Sequence, residues 1–478
     1  MKRYVTYINY AVFLLLTAGC SVHSRQSVDL PVIPPDSYRE DAGKEHSGQP
    51  IEYWWKTFHD SKLDILMEEA FSENLDLAQA YARLEQLEAV SRSTVAAQYP
   101  SLNGEVQGSR EDTPGFFGNN IGDSYRLSLA AGFELDIWQK LRSRAQAADF
   151  EMKATQEEVK SVYLSLSAEL VDLYYLAVEQ RAQLVLADQT IASFTDTLDR
   201  VERRYREGLV SALDVYQARQ NLAGVRASRQ LSEASLAVAE HALSVLIGRY
   251  PDRKTGGQLA IIPGVTEAFP AGLPSQLLAR RPDVQSAFLR IKASDEQVAA
   301  AIADRFPSFN LLGNYGKSST AFSTGDITGS FWNLTANIAQ PIIDGGRRKA
   351  EVDRTRAVFR ENVAFYQKAV LAAFKDVEDA LVRSRTTRER VLMLKDREAA
   401  ASGALRLSLE RYMMGLSDYL PVLTAQGLYF NARSSLLEGQ RQMISDRIQL
   451  ARSLGGTWMT RELENRFHAD ISRKETDE

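Results

Sequence analysis

Residues 125–135 read Tyr125-Arg126-Leu127-Ser128-Leu129-Ala130-Ala131-Gly132-Phe133-Glu134-Leu135. Every second residue from Tyr125 to Leu135 is apolar, and Arg126, Ser128, Ala130, Gly132 and Glu134 between them are polar or small. A period of two puts alternate side chains on opposite faces, so this stretch predicts a strand with one greasy and one polar face. Residues 332–338 repeat the pattern, with Trp332, Leu334, Ala336 and Ile338 set against Asn333, Thr335 and Asn337. About 10 residues suffice for a tilted strand to cross a bilayer, apolar side to lipid and polar side to lumen. Residues 102–110 and 309–317 precede these as weaker strands. The alternation by itself also fits hairpins of a soluble sheet. If the strands cross lipid, the four of one chain leave open edges, and the smallest spanning barrels have about 8 strands. Closure then takes at least two chains.

The two hairpins belong to an internal duplication at one offset. Arg204-Tyr205-x-x-Gly208-Leu209 recurs as Arg411-Tyr412-x-x-Gly415-Leu416, and 415 − 208 = 207. The same 207 carries Pro100-Ser101-x-Asn103 onto Pro307-Ser308-x-Asn310, Asp76, Ala80 and Arg83 onto Asp283, Ala287 and Arg290, and Gly248 onto Gly455. The expected organisation is repeat 1 over 61–250 with its β-hairpin at 101–135, a Gly- and Pro-rich linker at 251–275, and repeat 2 over 276–457 with its β-hairpin at 308–342. Each repeat opens on a helical stretch, 63–98 or 277–305. Each continues past its hairpin into a much longer one. No proline occurs from Gly115 to Tyr250, and only Pro421 from Ile342 to the C-terminus. Residues 138–204 taken as one helix would be about 100 Å long, against about 11–12 residues for an ordinary globular helix. Helices of that length persist as coiled coils packed on neighbours. A charged tail, expected to be disordered, occupies 458–478.

Gly208 and Gly415 fit the left-handed position that ends a helix. Ser211 with Asp214 fits a capping box for the returning helix. Asp418 fits an N-cap in the second copy, with Pro421 in the first turn, where a missing N–H is tolerated. Asp214 and Asp418, multiplied by symmetry, could also form acidic rings or bonds between subunits. Asp344-Gly345-Gly346-Arg347 lacks P-loop spacing and reads as a turn with Asp344 capping the next helix.

The 478 residues include 25% charged and 44% hydrophobic residues, which argues against global disorder. A net charge of −5 gives no basic footprint for nucleic acid. Beyond the N-terminus no apolar run approaches about 18 residues, so no spanning helix is expected in the mature chain. Residues 1–19 read as an export signal: Lys2 and Arg3 supply charge, residues 11–16 an apolar core, and Thr17-Ala18-Gly19 small residues ahead of Cys20. Cys20 is the single cysteine, so no intrachain disulfide forms. The stretch resembles a bacterial lipobox, which makes Cys20 the acylated first residue of the mature chain; an ordinary signal peptide with an incidental cysteine is the other reading. Ser21 stands where an inner-membrane retention signal would have Asp.

His23, His46, His59, His241 and His468 are scattered, none at metal-pair spacing, and G-x-S-x-G, G-x-G-x-x-G and Walker A sequences are absent. Glu157, Glu158, Glu378 and Asp379 read as a solvated coiled-coil face. No catalytic residues, no metal and no cofactor are expected.

Several stretches carry a family resemblance in order along the chain. They are Tyr53-Trp54-Trp55-Lys56-Thr57-Phe58-His59-Asp60, Asn74-Leu75-Asp76-Leu77, Glu134-Leu135-Asp136-Ile137-Trp138, Arg280-Arg281-Pro282-Asp283 and Phe306-Pro307-Ser308. From Cys20 to about Trp458 the chain resembles the TolC-like outer membrane factors, and among them the acylated OprM/CusC/NodT branch. The resemblance implies a mainly α fold with a membrane β-barrel portion: a homotrimer whose 12-stranded barrel takes 4 strands per chain and continues as a long α-helical coiled-coil barrel. It implies an equatorial belt built from 20–60, the linker and the C-terminal end. It implies an outer-membrane, lipid-anchored location with a periplasmic extension, in a Gram-negative bacterium. The partners implied are a periplasmic adaptor and an inner-membrane pump of the resistance-nodulation-division type. The function implied is a passive exit duct for small toxic compounds or metal ions. Adaptor docking is implied at Arg204, Tyr205, Gly208, Leu209, Arg411, Gly415 and Leu416, and a periplasmic gate at Asp214, Asp418 and Tyr412. Gln139 departs from the glycine many members have after Trp138, and Pro421 and Thr424 stand where some carry gate aspartates. A type I protein-secretion duct and a non-conducting structural lipoprotein or stalk are the alternatives.

Overall fold

The computed structural model describes residues 23–24, 38–39, 52–115, 118–253, 255, 257–264, 274–322 and 325–466; Cys20 and the signal segment lie outside them. The elements run α1 (Ser61–Glu73), α2 (Leu75–Ala96), β1 (Ser101–Gly115), β2 (Gly118–Leu135), α3 (Lys140–Arg206) and α4 (Ala212–Leu246) in the first repeat. They run α5 (Pro274–Arg280), α6 (Pro282–Ala303), β3 (Ser308–Phe322), β4 (Gly325–Ala339), α7 (Arg347–Met413) and α8 (Tyr419–Leu454) in the second. The chain divides into two compact units. One is built mainly from Ala82–Gln156 and Ser286–Ala369 and holds the sheet; the other holds the described parts of Val32–Tyr81, Glu157–Gln285 and Val370–Glu478.

Helices α3 and α7 are 67 residues each, about 100 Å at ~1.5 Å per residue. Within α3 one window is apolar enough to cross a bilayer by length and composition, yet 61% of it is buried. That burial marks it as a packed helix. Polar ties run along the packed faces of the second unit: Gln426 Nε2 donates to Thr197 Oγ1 at 2.9 Å, and Arg441 pairs with Asp172 at 2.8 Å.

The duplication is visible atom by atom. Gly248, at φ +73°, lies so close under the first helical break that a Cβ would stand 2.5 Å from the Glu73 carbonyl oxygen. Gly455, 207 residues on and at φ +68°, stands in the same relation to the Arg280 carbonyl oxygen at 2.7 Å. In the first copy Asn74 donates to the Leu246 carbonyl at 2.8 Å and accepts from the Leu77 N–H at 2.8 Å. In the second copy Arg281 donates to the Ser453 carbonyl at 3.4 Å and pairs with Asp283 and Asp376. A neutral cap and a buried cation thus hold the same corner.

Three expectations change. The opening helical stretches are each broken, at Asn74 and at Arg281, where a side chain takes over backbone bonding. The strands are 15 to 18 residues long, because polar residues beyond the greasy stretch keep the ladder going: Ser109 bonds Ser124 at 2.7 Å, and Ser319 bonds Thr328 at 2.8 Å. The tail does not begin at 458. Residues 458–466 are helical, anchored by a Trp458 that is wholly buried against Trp55 (centroids 4.9 Å) and stacked on Phe71 (5.7 Å). One aromatic anchor outweighs the charge of its surroundings. Residues 467–478 lie outside the described residues.

Candidate functional site

The four strands form one sheet in the order β1-β2-β3-β4, antiparallel throughout, with β1 and β4 at its edges. The register sorts the side chains into two faces. One face carries, row by row, Leu135–Phe309–Ile338, Phe133–Leu311–Ala336, Leu102–Ala131–Gly313–Leu334 and Gly104–Leu129–Tyr315–Trp332. No polar side chain enters these rows apart from the tyrosine hydroxyl. The opposite face carries Asn103, Glu105, Gln107, Arg126, Glu134, Asn310, Asn314, Asn333, Thr335 and Asn337, with Leu312, Phe331 and Ile327 as exceptions.

On the polar face the second and third strands approach each other closely. Ser128 on that face is buried, and a Cβ on Gly316 beside it would run into the Leu127 carbonyl and Ser128 itself. On the apolar face Val106 is 84%, Trp332 77% and Leu334 75% exposed. A soluble sheet buries its apolar face. This one bares it, as a wall against lipid does. Glycine at 316 is what lets β2 and β3 close up there.

Trp138 seats the lower end of the sheet, donating to the Pro307 carbonyl at 2.8 Å and stacking on Phe306. Gln139 next to it holds φ +60°, a left-handed backbone that glycine adopts freely. Asp136 caps the first turn of α3, accepting from the Leu141 and Arg142 N–H groups. Asp344 does the same for α7, accepting from Gly346 and Arg348.

The turns at Gly208 and Gly415 have matching geometry. Each glycine has φ near +72°, the Leu209 N–H bonds the Arg204 carbonyl and the Leu416 N–H the Arg411 carbonyl, both at 2.9 Å. The glycine N–H groups bond the Tyr205 and Tyr412 carbonyls, which completes a Schellman motif in each copy. Tyr205, Leu209, Met414 and Leu416 stand exposed around the turns.

Beneath them the copies differ. Tyr412 is buried in a cluster with Val201, Val215, Ala218, Tyr419 and Val422. The Arg204 guanidinium lies 4.4 Å from the Tyr412 ring centroid and donates to the Tyr412 carbonyl at 2.7 Å. Asp214 completes a capping box with Ser211, accepting from its N–H at 3.2 Å. Asp418 occupies the N-cap of α8 without a side-chain capping bond. The structure therefore brings Arg204, Tyr412 and the start of α4 together and leaves the Asp418 carboxylate exposed.

Tyr419 was not singled out by sequence, although Tyr419 and Val422 at i, i+3 signal an apolar face. Burial, reinforced by Tyr412 and Asp214, pushes its phenol up to about 12. Burial raises Tyr412 too, against the opposing pull of Arg204. Both phenols stay neutral at physiological pH. Among the described residues neither the Tyr419 hydroxyl nor the buried Ser417 Oγ has a hydrogen-bond partner.

The outer membrane efflux protein family model matches the chain twice, over residues 66–249 and 273–456. The chain belongs to the outer membrane efflux protein family. Among relatives, the solvent efflux pump outer membrane protein SrpC of Pseudomonas putida is 30% identical over 413 residues, covering 84% of this chain and 86% of that one. The cation efflux system protein CusC of Escherichia coli is 29% identical over 460 residues, covering 94% and 98%. The structure of the outer-membrane channel OprN superposes with a TM-score of 0.84 at 26% identity, covering 92% of this chain and all of that one. As a family member the chain is an outer-membrane channel subunit that serves efflux. The four strands and the long helices are the family's β and helical portions.

Proposed function

We propose that three copies of the chain close a 12-stranded barrel in the outer membrane and that their helices continue it into the periplasm as a passive exit duct. The observation that carries this reading is a four-stranded sheet, apolar and exposed on one face, with two unpaired edges. An open edge in lipid leaves backbone groups unbonded at several kcal/mol each, so the edges must pair with those of other copies. Acylation at Cys20 adds a lipid anchor at the inner leaflet. Two or three acyl chains hold firmly where one is marginal.

Cargo is driven by an inner-membrane pump through a periplasmic adaptor. It consists of small toxic compounds or metal ions, the classes named for relatives that export solvents and cations. The adaptor meets the duct at the two glycine turns, through Arg204, Tyr205, Gly208, Leu209, Arg411, Gly415 and Leu416. The exposed apolar residues around those turns support this assignment.

Asp214, Asp418 and Tyr412 govern the aperture. The Tyr419 hydroxyl and Ser417 Oγ, buried and without a partner among the described residues, leave the present packing short of full hydrogen bonding. A turn so held can be exchanged for another arrangement at modest energy. The test is single-channel recording in planar bilayers. Wild-type protein should conduct poorly when closed, and Asp418→Ala should raise that current severalfold. Identical closed-state current in both would remove Asp418 from the gate.

A further inference from the structure

On the apolar face of the sheet the first charged side chain, counting up from the helical end, is Lys317. It stands in the row Val106–Leu127–Lys317–Ser330, one row above Tyr315 and Trp332. The row above it is Gly108–Tyr125–Ser319–Thr328, in which the Ser319 and Thr328 hydroxyls bond each other at 2.8 Å. Lys317 is exposed and has no ion-pair partner among the described residues. The nearest cation on the same face, Arg110, is already held by Asp123 at 3.7 Å.

Phe309 in the lowest row and Lys317 are eight residues apart along β3, roughly 27 Å at ~3.4 Å per residue and about 21 Å of depth at a tilt near 40°. A lipid-facing apolar band is about 25 Å tall. Lys317 therefore sits at the upper rim of the band, on the side away from the helices, with the amphipathic rings of Tyr315 and Trp332 at the interface level beneath it. An ammonium and three hydroxyls above an aromatic ledge make a donor set for a phosphate whose own lipid tails lie along the apolar rows.

We propose that Lys317, with Ser319, Thr328 and Ser330, binds the phosphate of an outer-leaflet glycolipid of the lipid A type, once per chain. The inference rests on the duct reading for its orientation, because helices in the periplasm put Lys317 at the outer leaflet. The experiment is native mass spectrometry of the detergent-extracted full-length protein. Bisphosphorylated lipid A, dephosphorylated lipid A and phosphatidylglycerol are titrated in turn against wild type, Lys317→Gln and Lys317→Arg. Wild type and Lys317→Arg should retain bisphosphorylated lipid A about tenfold better than Lys317→Gln, the size expected for one charge-assisted contact. The dephosphorylated lipid should not distinguish the three proteins. Equal retention by Lys317→Gln and wild type overturns the site. So does Lys317-dependent binding of phosphatidylglycerol as tight as that of lipid A, which would place the lysine at a phospholipid leaflet. Conductance recorded on the same samples separates the two readings. A Lys317→Gln protein that conducts and binds lipid A like wild type refutes the site alone, whereas a wild type that does not conduct refutes the duct.

Discussion

Gly208 and Gly248 both hold φ near +72°, but they answer different demands. Nothing lies within 4 Å of a Cβ placed on Gly208, whereas one on Gly248 would meet the Glu73 carbonyl oxygen at 2.5 Å. Gly208→Ala should thus lower stability by only about 1–2 kcal/mol, the left-handed penalty. Gly248→Ala should forfeit at least about 3 kcal/mol, because backbone must also shift. Melting of the two purified variants beside wild type checks the difference, and equal losses would deny that Gly248 is a packing glycine. Both glycines were legible as repeat positions from their offset of 207. Their separate reasons were not, because close approach involves a chain segment 175 residues away (248 − 73). Gln139 shows the converse. Its left-handed backbone is one that glycine adopts freely, yet no residue-level signal announces it here. Cys20 was read from the signal segment alone, and Cys20→Ser should abolish incorporation of labelled palmitate; unchanged labelling would return the segment to an ordinary signal peptide.

Among the elements, β4 was the easiest to read and its ends the hardest. Alternation at 332–338 fixes which side chains share a face, and in the sheet Trp332, Leu334 and Ile338 do share the exposed one. Residues 325–330 read Gly-Asp-Ile-Thr-Gly-Ser, which has no apolar period, and only the ladder with β3 keeps them extended. The helical break at Asn74 escaped because that residue is neither proline nor glycine and acts through a distant carbonyl, whereas the break at Arg281 has a local signal in Pro282, which opens the next helix. The face assignment makes a sharp prediction at neighbouring positions. Leu334→Arg, in the middle row of the apolar face, should weaken folding into lipid by about 2–4 kcal/mol. Thr335→Arg on the opposite face should fold normally and shift ion selectivity toward anions. Folding yield into liposomes and reversal potential measure the two, and an outcome with the residues exchanged would mean that the faces are assigned backwards.

For the whole molecule, the chain supplies a sheet that is complete in register and incomplete in topology. Each strand pairs fully with its neighbours, yet β1 and β4 each offer an unpaired edge. Along its apolar stretch neither edge is blunted by Pro, one of the devices with which soluble sheets protect an edge. The mainly α fold with its four-strand β portion was legible because period two, a fixed repeat offset and proline-free runs are all local signals. What covers the edges is a property of other copies and leaves no such mark in one chain. The measurement that bears most directly on this account is the mass of the detergent-extracted particle by native mass spectrometry under gentle activation. Three chains per particle is the result expected of a shared 12-stranded barrel. A stable particle of one chain, with its strands still folded, would contradict it.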